Sequence, residues 1–206
     1  PTGCGKTYAA IMGPLSKIEN AKNNNSVNIL LITPLKALSR NLKNSIQLAA
    51  LHFNKDITVE IRNGDTTPYE KKKQLNKPPN ILITTPESLS LLLSNKESNN
   101  IFRELSSIII DEWHELMGSK RGNQCELSLS WLRGNIKNVQ IWAMSATIGN
   151  IEEAAIAIVG ISGKKPKIIN TNIQKEIEII SVLPEEKTTF PWSGHLGIRS
   201  HSSLLK

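Results

Sequence analysis

Pro1-Thr2-Gly3-Cys4-Gly5-Lys6-Thr7 opens the chain. It reads as a phosphate-binding loop of the pattern G-x-x-x-x-G-K-[ST] without its first position. Thr2, Gly3, Cys4, Gly5, Lys6 and Thr7 are its candidate phosphate-binding residues. Backbone N–H groups from Gly3 to Thr7 would ring a β-phosphate, and glycine tolerates the positive φ angles such a ring needs. Lys6 would reach the β/γ-phosphates, and the Thr7 hydroxyl would be a ligand of Mg²⁺. Tyr8, Ile11, Met12, Leu15 and Ile18 follow at three- and four-residue steps, so a helix should start at the loop and turn its positive end to the phosphates. The alternative is a Gly-rich turn that happens to precede Lys-Thr.

A loop of this kind hangs from a buried parallel strand. That strand would fall before Pro1, and no initiator Met is present. The expectation is therefore a piece of a longer protein whose sheet lacks its first strand.

Working outward, apolar strands alternate with helical stretches. Ile29-Leu30-Leu31-Ile32 suits a strand buried on both faces, and Leu35, Leu38, Leu42, Ile46 and Ala49 mark one side of a helix. Residues 57–61 alternate as a strand and end in the turn Asn63-Gly64-Asp65. A short polar helix is expected over 68–75, a strand over 81–83 and a helix from Pro86 to about Leu93. Strand 108–110, a helix around 126–132, strand 139–144 and helix 151–159 complete the series. Such alternation implies a mostly parallel sheet with right-handed crossovers and helices on both faces. From Ile168 the pattern turns to β-like alternation, which places a domain boundary near 172, with 1–172 before it and 173–206 after it.

The net charge of +7 is uneven, with the first hundred residues carrying 13 Lys/Arg against 7 Asp/Glu. That balance is compatible with a polyanionic partner. No apolar run approaches the ~18 residues of a membrane-spanning helix, so no membrane partner is expected. Two cysteines exclude a disulfide scaffold and fit a reducing compartment, hence a cytoplasmic location. Four scattered histidines offer no zinc-site spacing. Trp131 and Trp142 sit in periodic apolar stretches and are expected in the core. Lys71-Lys72-Lys73 reads as a solvated helix face, with nucleic-acid contact as the second choice.

Asp111-Glu112-Trp113-His114 closes an apolar strand, where a nucleotide hydrolase needs carboxylates. Asp111 is assigned to the metal and Glu112 to the attacking water; with Lys6 they are the candidate catalytic residues. The alternative is acidic capping of the next helix. Ser145-Ala146-Thr147 ends another strand and is either a bridge to the acidic turn or an N-cap. Thr33-Pro34 and Thr84-Thr85-Pro86-Glu87 also fall where strands become helices, suited to phosphate contacts or to starting helices.

Together these segments resemble the first RecA-like domain of a superfamily 2 helicase. Pro1 to Thr7 resembles motif I, Thr33-Pro34-Leu35-Lys36-Ala37-Leu38 motif Ia, and Thr85-Pro86-Glu87-Ser88-Leu89 motif Ib. Asp111 to His114 resembles motif II in its DExH form, and Ser145-Ala146-Thr147 motif III. Asn63-Gly64-Asp65-Thr66, Asp111-Glu112-Trp113-His114-Glu115-Leu116, Gly118-Ser119-Lys120-Arg121-Gly122 and Ala146-Thr147-Ile148-Gly149-Asn150 are similar to Lhr-like proteins. Phe190-Pro191-Trp192-Ser193-Gly194-His195-Leu196-Gly197 is similar to bacterial ligase-associated DEXH-box DNA helicases.

The resemblance implies an RecA-like P-loop NTPase fold, ATP and Mg²⁺ as cofactors, and 3′-to-5′ translocation on single-stranded or partly duplex DNA in repair. It implies coupling roles for His114, Ser145, Ala146 and Thr147. It places Pro34, Lys36, Arg40, Thr85, Pro86 and Arg121 on the DNA-facing side. A second RecA-like domain of the same polypeptide, and a DNA ligase and nuclease of a repair set, are the implied partners. Without that second domain and its arginine, this stretch alone is expected to show negligible DNA-stimulated ATPase. An RNA helicase, or a non-hydrolysing nucleic-acid-binding remnant, are the other readings.

Overall fold

The computed structural model describes residues 5–18, 25–146, 148–160 and 165–170. Its strands are four residues long: β1 (Ile29–Ile32), β2 (Val59–Arg62), β3 (Ile81–Thr84), β4 (Ser107–Ile110) and β5 (Gln140–Ala143). They form one sheet in the order β2-β3-β1-β4-β5, and every pairing is parallel. β1, β3 and β4 are buried along their whole length, which is why they read as unbroken apolar runs rather than as alternation.

Successive side chains leave a strand on opposite faces, and this sheet fills both. Leu30, Ile32, Leu82, Ile108 and Ile110 pack on one side with Leu89, Trp113, Cys125, Leu129 and Ile158. Ile29, Leu31, Ile81, Ile83 and Ile109 pack on the other with Ile11, Leu15, Ile46 and Ala50. The first face is covered by α4 (Pro86–Leu93), α5 (Ser98–Ile101), α6 (Trp113–Leu116), α7 (Lys120–Asn135) and α8 (Ile151–Val159). α1 (Lys6–Ile18) and α2 (Lys36–Leu51) cover the second, and α3 (Pro68–Asn76) connects β2 to β3. Each fully buried leucine or isoleucine contributes roughly 1.5–3 kcal/mol relative to exposure, and the central strands supply several of them to each face.

Helix starts follow cap chemistry. The Thr67 hydroxyl accepts the Glu70 N–H while the Glu70 carboxylate accepts the Thr67 N–H, a reciprocal box before Pro68. Ser119 caps α7 by accepting the Gly122 N–H. Gly122 also permits a close approach: a Cβ there would lie 2.1 Å from the Leu116 carbonyl oxygen. Cys125, on the core-facing side of this same helix, is wholly buried, and desolvation pushes its thiol up to about 12.

Several expectations are corrected. Trp142 is 37% exposed rather than in the core, because β5 is the outer strand of the order and only one side of it is paired. Trp131 is partly buried against the core, and Trp113 is fully buried. The strand expected over 57–61 is Val59–Arg62, and the helix around 126–132 runs the full sixteen residues of α7. Leu35 and Leu38 are exposed although they share the apolar side of α2; they precede its buried stretch, just past the end of β1. The short helices α5 and α6 were not expected.

These elements belong to the unit Pro1–Ile169; of the second unit, Asn170–Lys206, Asn170 alone is among the described residues. The boundary expected near 172, the motif-like residues 190–197, and Pro1, Thr2, Gly3, Cys4 and Thr147 lie outside them. Among the described residues no helix is long and apolar enough to cross a membrane.

Candidate active site at the carboxyl edge of the sheet

Register brings the expected motifs to one edge. Ile32 of β1 pairs with Thr84 of β3 and with Ile110 of β4, and Ile110 pairs with Ala143 of β5. The chain therefore leaves four adjacent strands at the same level. Thr85, Thr33, Asp111 and Met144 follow one another along the carboxyl edge, where α/β sheets bind ligands. Backbone hydrogen bonds join these exits: the Thr33 N–H donates to the Thr84 carbonyl, the Asp111 N–H to Ile32 and the Trp113 N–H to Met144.

Lys6 begins α1 immediately after Gly5, whose φ of +72° is the left-handed conformation glycine adopts freely. The Lys6 ammonium is buried and has no hydrogen-bond partner. Thr7, next on the helix, is half-buried. Asp111 is 7% exposed. Desolvation raises its pKa above the ordinary range and the neighbouring Glu112 charge adds to this, against the opposing pull of the Glu112 N–H, Lys6 and His114. Lys6 and Asp111 thus act on each other electrostatically, although no direct hydrogen bond joins them.

Glu112 adopts φ 45° and ψ 50°, a left-handed backbone for a residue with a side chain. Its N–H donates to Asp111 Oδ1 at 3.1 Å. The conformation turns the chain abruptly from β4 into α6, and strain of this kind concentrates where function over-determines it. Glu112 Oε2 is buried without a hydrogen bond; His114 Nδ1 lies 3.4 Å from it. The same Nδ1 lies 3.0 Å from the Ser145 hydroxyl. His114 therefore stands between the acidic turn and the strand end that bears Ser145 and half-buried Ala146.

The expected DNA-facing residues divide. Arg40 is exposed on α2. Lys36 pairs with Asp65 at 3.1 Å, both of them exposed. Pro34, Thr85 and Pro86 are buried, with Thr85 Oγ1 3.3 Å from the Ser88 hydroxyl. Arg121 makes a two-pronged ion pair with Glu87, Nε to Oε1 at 2.5 Å and Nη2 to Oε2 at 3.3 Å. Sequence reasoning missed Glu87 and Asp65 as partners, because nothing local links residues 34 or 29 positions apart. Lys36 and Arg40, with Lys43 and Lys73, also line a groove of about 790 Å³ shared with Glu60, Asp65 and Glu70.

A buried ammonium without a partner, beside a buried carboxylate whose ionised form is disfavoured, is incomplete as protein structure. It fits a ligand that brings anionic oxygens to Lys6 and a cation to Asp111. The donors present are therefore those a nucleotide phosphate with Mg²⁺ would require.

A family model of the DEAD/DEAH box helicase matches residues 1–154. The protein named ATP-dependent helicase Lhr-Core from Saccharolobus solfataricus is 35% identical over 196 residues, covering 89% of this chain and 22% of that protein. The structure of Mycobacterium smegmatis helicase Lhr bound to ssDNA and AMP-PNP matches with a TM-score of 0.70 at 31% identity, over 80% of this chain and 22% of that one. The DUF1998 helicase MrfA bound to DNA matches with a TM-score of 0.65 at 27% identity, over 77% of this chain and 23% of that one. The chain thus spans less than a quarter of the length of each.

Proposed function

This chain belongs to the DEAD/DEAH box helicase family, and we propose that it is the ATP-binding motor domain of an ATP-dependent DNA helicase. One observation carries the reading: the Lys6 ammonium is buried without a partner at the edge where Asp111 is held against its preferred charge. Residues 1–172 form the first RecA-like domain in this proposal, and 173–206 begin the connection to a second.

The residues divide the work by position. Backbone N–H groups from Gly3 to Thr7 and the Lys6 ammonium bind the phosphates, and burial strengthens that charge pairing. Thr7 and Asp111 are the residues that would hold Mg²⁺, which when bound would supply charge neutralisation of the phosphate oxygens. Glu112 orients the attacking water and takes its proton, and the carboxylate oxygen it keeps free of hydrogen bonds is available for that role. His114, between Glu112 and Ser145, relays the state of the acidic turn to residues 145–147. Lys36 and Arg40, with the Pro34, Thr85 and Pro86 turns, follow the DNA backbone along the same edge.

DNA is the proposed substrate because the Lhr and MrfA structures named above are bound to DNA. Translocation 3′ to 5′ in repair, with a ligase and a nuclease as partners, follows the resemblance of residues 190–197, and a cytoplasmic location follows the use of only two cysteines. The test is titration of a fluorescent ATP analogue with Mg²⁺, then hydrolysis with single-stranded DNA or RNA, for the full-length protein and its Lys6→Ala variant. Mg²⁺-dependent binding lost in the variant, with hydrolysis stimulated by DNA, is expected. Binding that survives loss of Lys6 would overturn the site; stimulation by RNA alone would overturn the substrate.

A further inference from the structure

The ion pair between Glu87 and Arg121 joins two parts of the site that the sequence separates. Glu87 lies in the first turn of α4, directly after the Thr85-Pro86 exit of β3. Arg121 is the second residue of α7. Both oxygens of the carboxylate are engaged in a fork geometry that fixes orientation as well as distance. An arginine in the first turn of a helix opposes the helix dipole, so its place there needs a local reason, and Glu87 supplies it.

The contact continues toward the carboxylates without slack. Arg121 is followed by Gly122, whose Cα faces the Leu116 carbonyl so closely that no side chain fits. Ser119 Oγ donates to that same carbonyl at 2.6 Å and accepts the Gly122 N–H at 3.1 Å. Leu116 ends α6, a single turn that starts directly after left-handed Glu112. Trp113 of that turn is 1% exposed, and its backbone N–H donates to the Met144 carbonyl. Between Glu87 and Glu112 there are thus one ion pair, one close backbone contact and one helical turn.

We propose that Glu87 and Arg121 are positioning residues that lock the Thr85-Pro86-Glu87 turn to the α6–α7 junction, so that nucleic acid engaged at that turn sets the placement of Glu112. The inference rests on the helicase reading above and goes beyond it. Arg121 is assigned to a protein clasp, in place of the direct DNA contact expected from sequence.

The full-length protein is assayed for hydrolysis with and without single-stranded DNA, for DNA affinity against salt, and for melting temperature. Glu87→Gln and Arg121→Ala should each lower the DNA-stimulated rate by about tenfold. Each should keep the wild-type slope of log affinity against log salt, and Glu87→Gln should keep the unstimulated rate. The exchanged pair Glu87→Arg with Arg121→Glu should recover most of the stimulation. If Arg121→Ala instead flattens the salt slope by about one counterion while Glu87→Gln is silent, Arg121 is a phosphate contact and the proposal fails. It also fails if both variants melt earlier with stimulation intact. A wild-type protein that no polynucleotide stimulates would sink the helicase reading, an outcome distinguishable from either of these.

Discussion

The two edges of the sheet treat buried polar groups in opposite ways. At the amino edge, Asn80 is 3% exposed and fully engaged. Its Oδ1 accepts from the Thr58 N–H and hydroxyl, its Nδ2 donates to Asn28 Oδ1, and its N–H donates to the Thr58 hydroxyl. Buried Ser26 is satisfied too, donating to Ile101 and accepting from Glu104. At the carboxyl edge, Lys6 Nζ, Thr33 Oγ1, Glu112 Oε2 and Trp113 Nε1 are all buried with no hydrogen-bond partner. A buried polar atom left unpaired costs roughly 1–3 kcal/mol, so the fold tolerates at one edge what it excludes at the other. Among the described residues, the buried groups named at the amino edge are satisfied, and those named at the carboxyl edge keep unused hydrogen-bonding capacity.

The contrast breaks most visibly at Glu112. Glu112→Gln preserves shape and removes the base, so hydrolysis by the full-length protein should fall by about 10²–10⁴-fold while the nucleotide still binds. Phosphate release against analogue titration checks both halves. A variant that hydrolyses normally would remove Glu112 from the chemistry. The amino edge should answer in stability alone. Asn80→Ala leaves the Thr58 N–H and Asn28 Oδ1 without their partner, a loss of about 1–3 kcal/mol readable by urea unfolding, with nucleotide affinity unchanged.

What the sequence could show follows the same division. β1, β3 and β4 were legible because strands buried on both faces leave continuous apolar runs. Trp142 misled because an outer strand can carry an apolar pattern without cover. The start of α7 was missed because residues 120–124 carry no apolar stripe; Ser119 and Gly122 set the boundary through capping and close approach. α6 has one turn, too short for periodicity, and depends on the left-handed Glu112. The membership and the Lhr likeness were readable because the motifs are short contiguous runs, legible without tertiary contacts. The partners of Lys36 and Arg121 depend on tertiary approach and left no local trace.

Asp111 sharpens the comparison by reversing the sign. Its folded pKa lies above the ordinary value of 3.8 through desolvation first and Glu112 second. The folded state therefore holds the proton more readily than the unfolded chain, and stability falls as pH rises from 3.8 through the raised value. The cost is fully present above that value and absent well below 3.8. Asp111→Asn should accordingly be more stable than wild type at neutral pH, by about 0.5–2 kcal/mol as for other function-relieving substitutions. The difference should vanish on acidification, and Mg²⁺-dependent nucleotide binding should be lost. Denaturant midpoints across pH measure it, and an equal or lower midpoint at neutral pH would mean that Asp111 is already compensated within the protein.

The smallest effect is expected at Thr33, where the distinction between the edges is purest. Its side chain is wholly buried, its hydroxyl is unpaired, and its backbone N–H is bound to Thr84. Thr33→Val keeps the shape and the strand-like backbone while removing the one unsatisfied oxygen. A hydroxyl retained for structure would be missed on removal, whereas one retained for a ligand costs the free protein nothing to lose. Thr33→Val should therefore melt at the wild-type temperature or slightly above, a change within about 1 kcal/mol. The full-length variant should lose a few-fold in affinity for single-stranded DNA, since the neighbouring Pro34 turn loses its polar member. A lower melting temperature with unchanged DNA affinity would place Thr33 with Asn80, among the groups whose partners stabilise the fold, and would move the limit of the binding edge inward to β4.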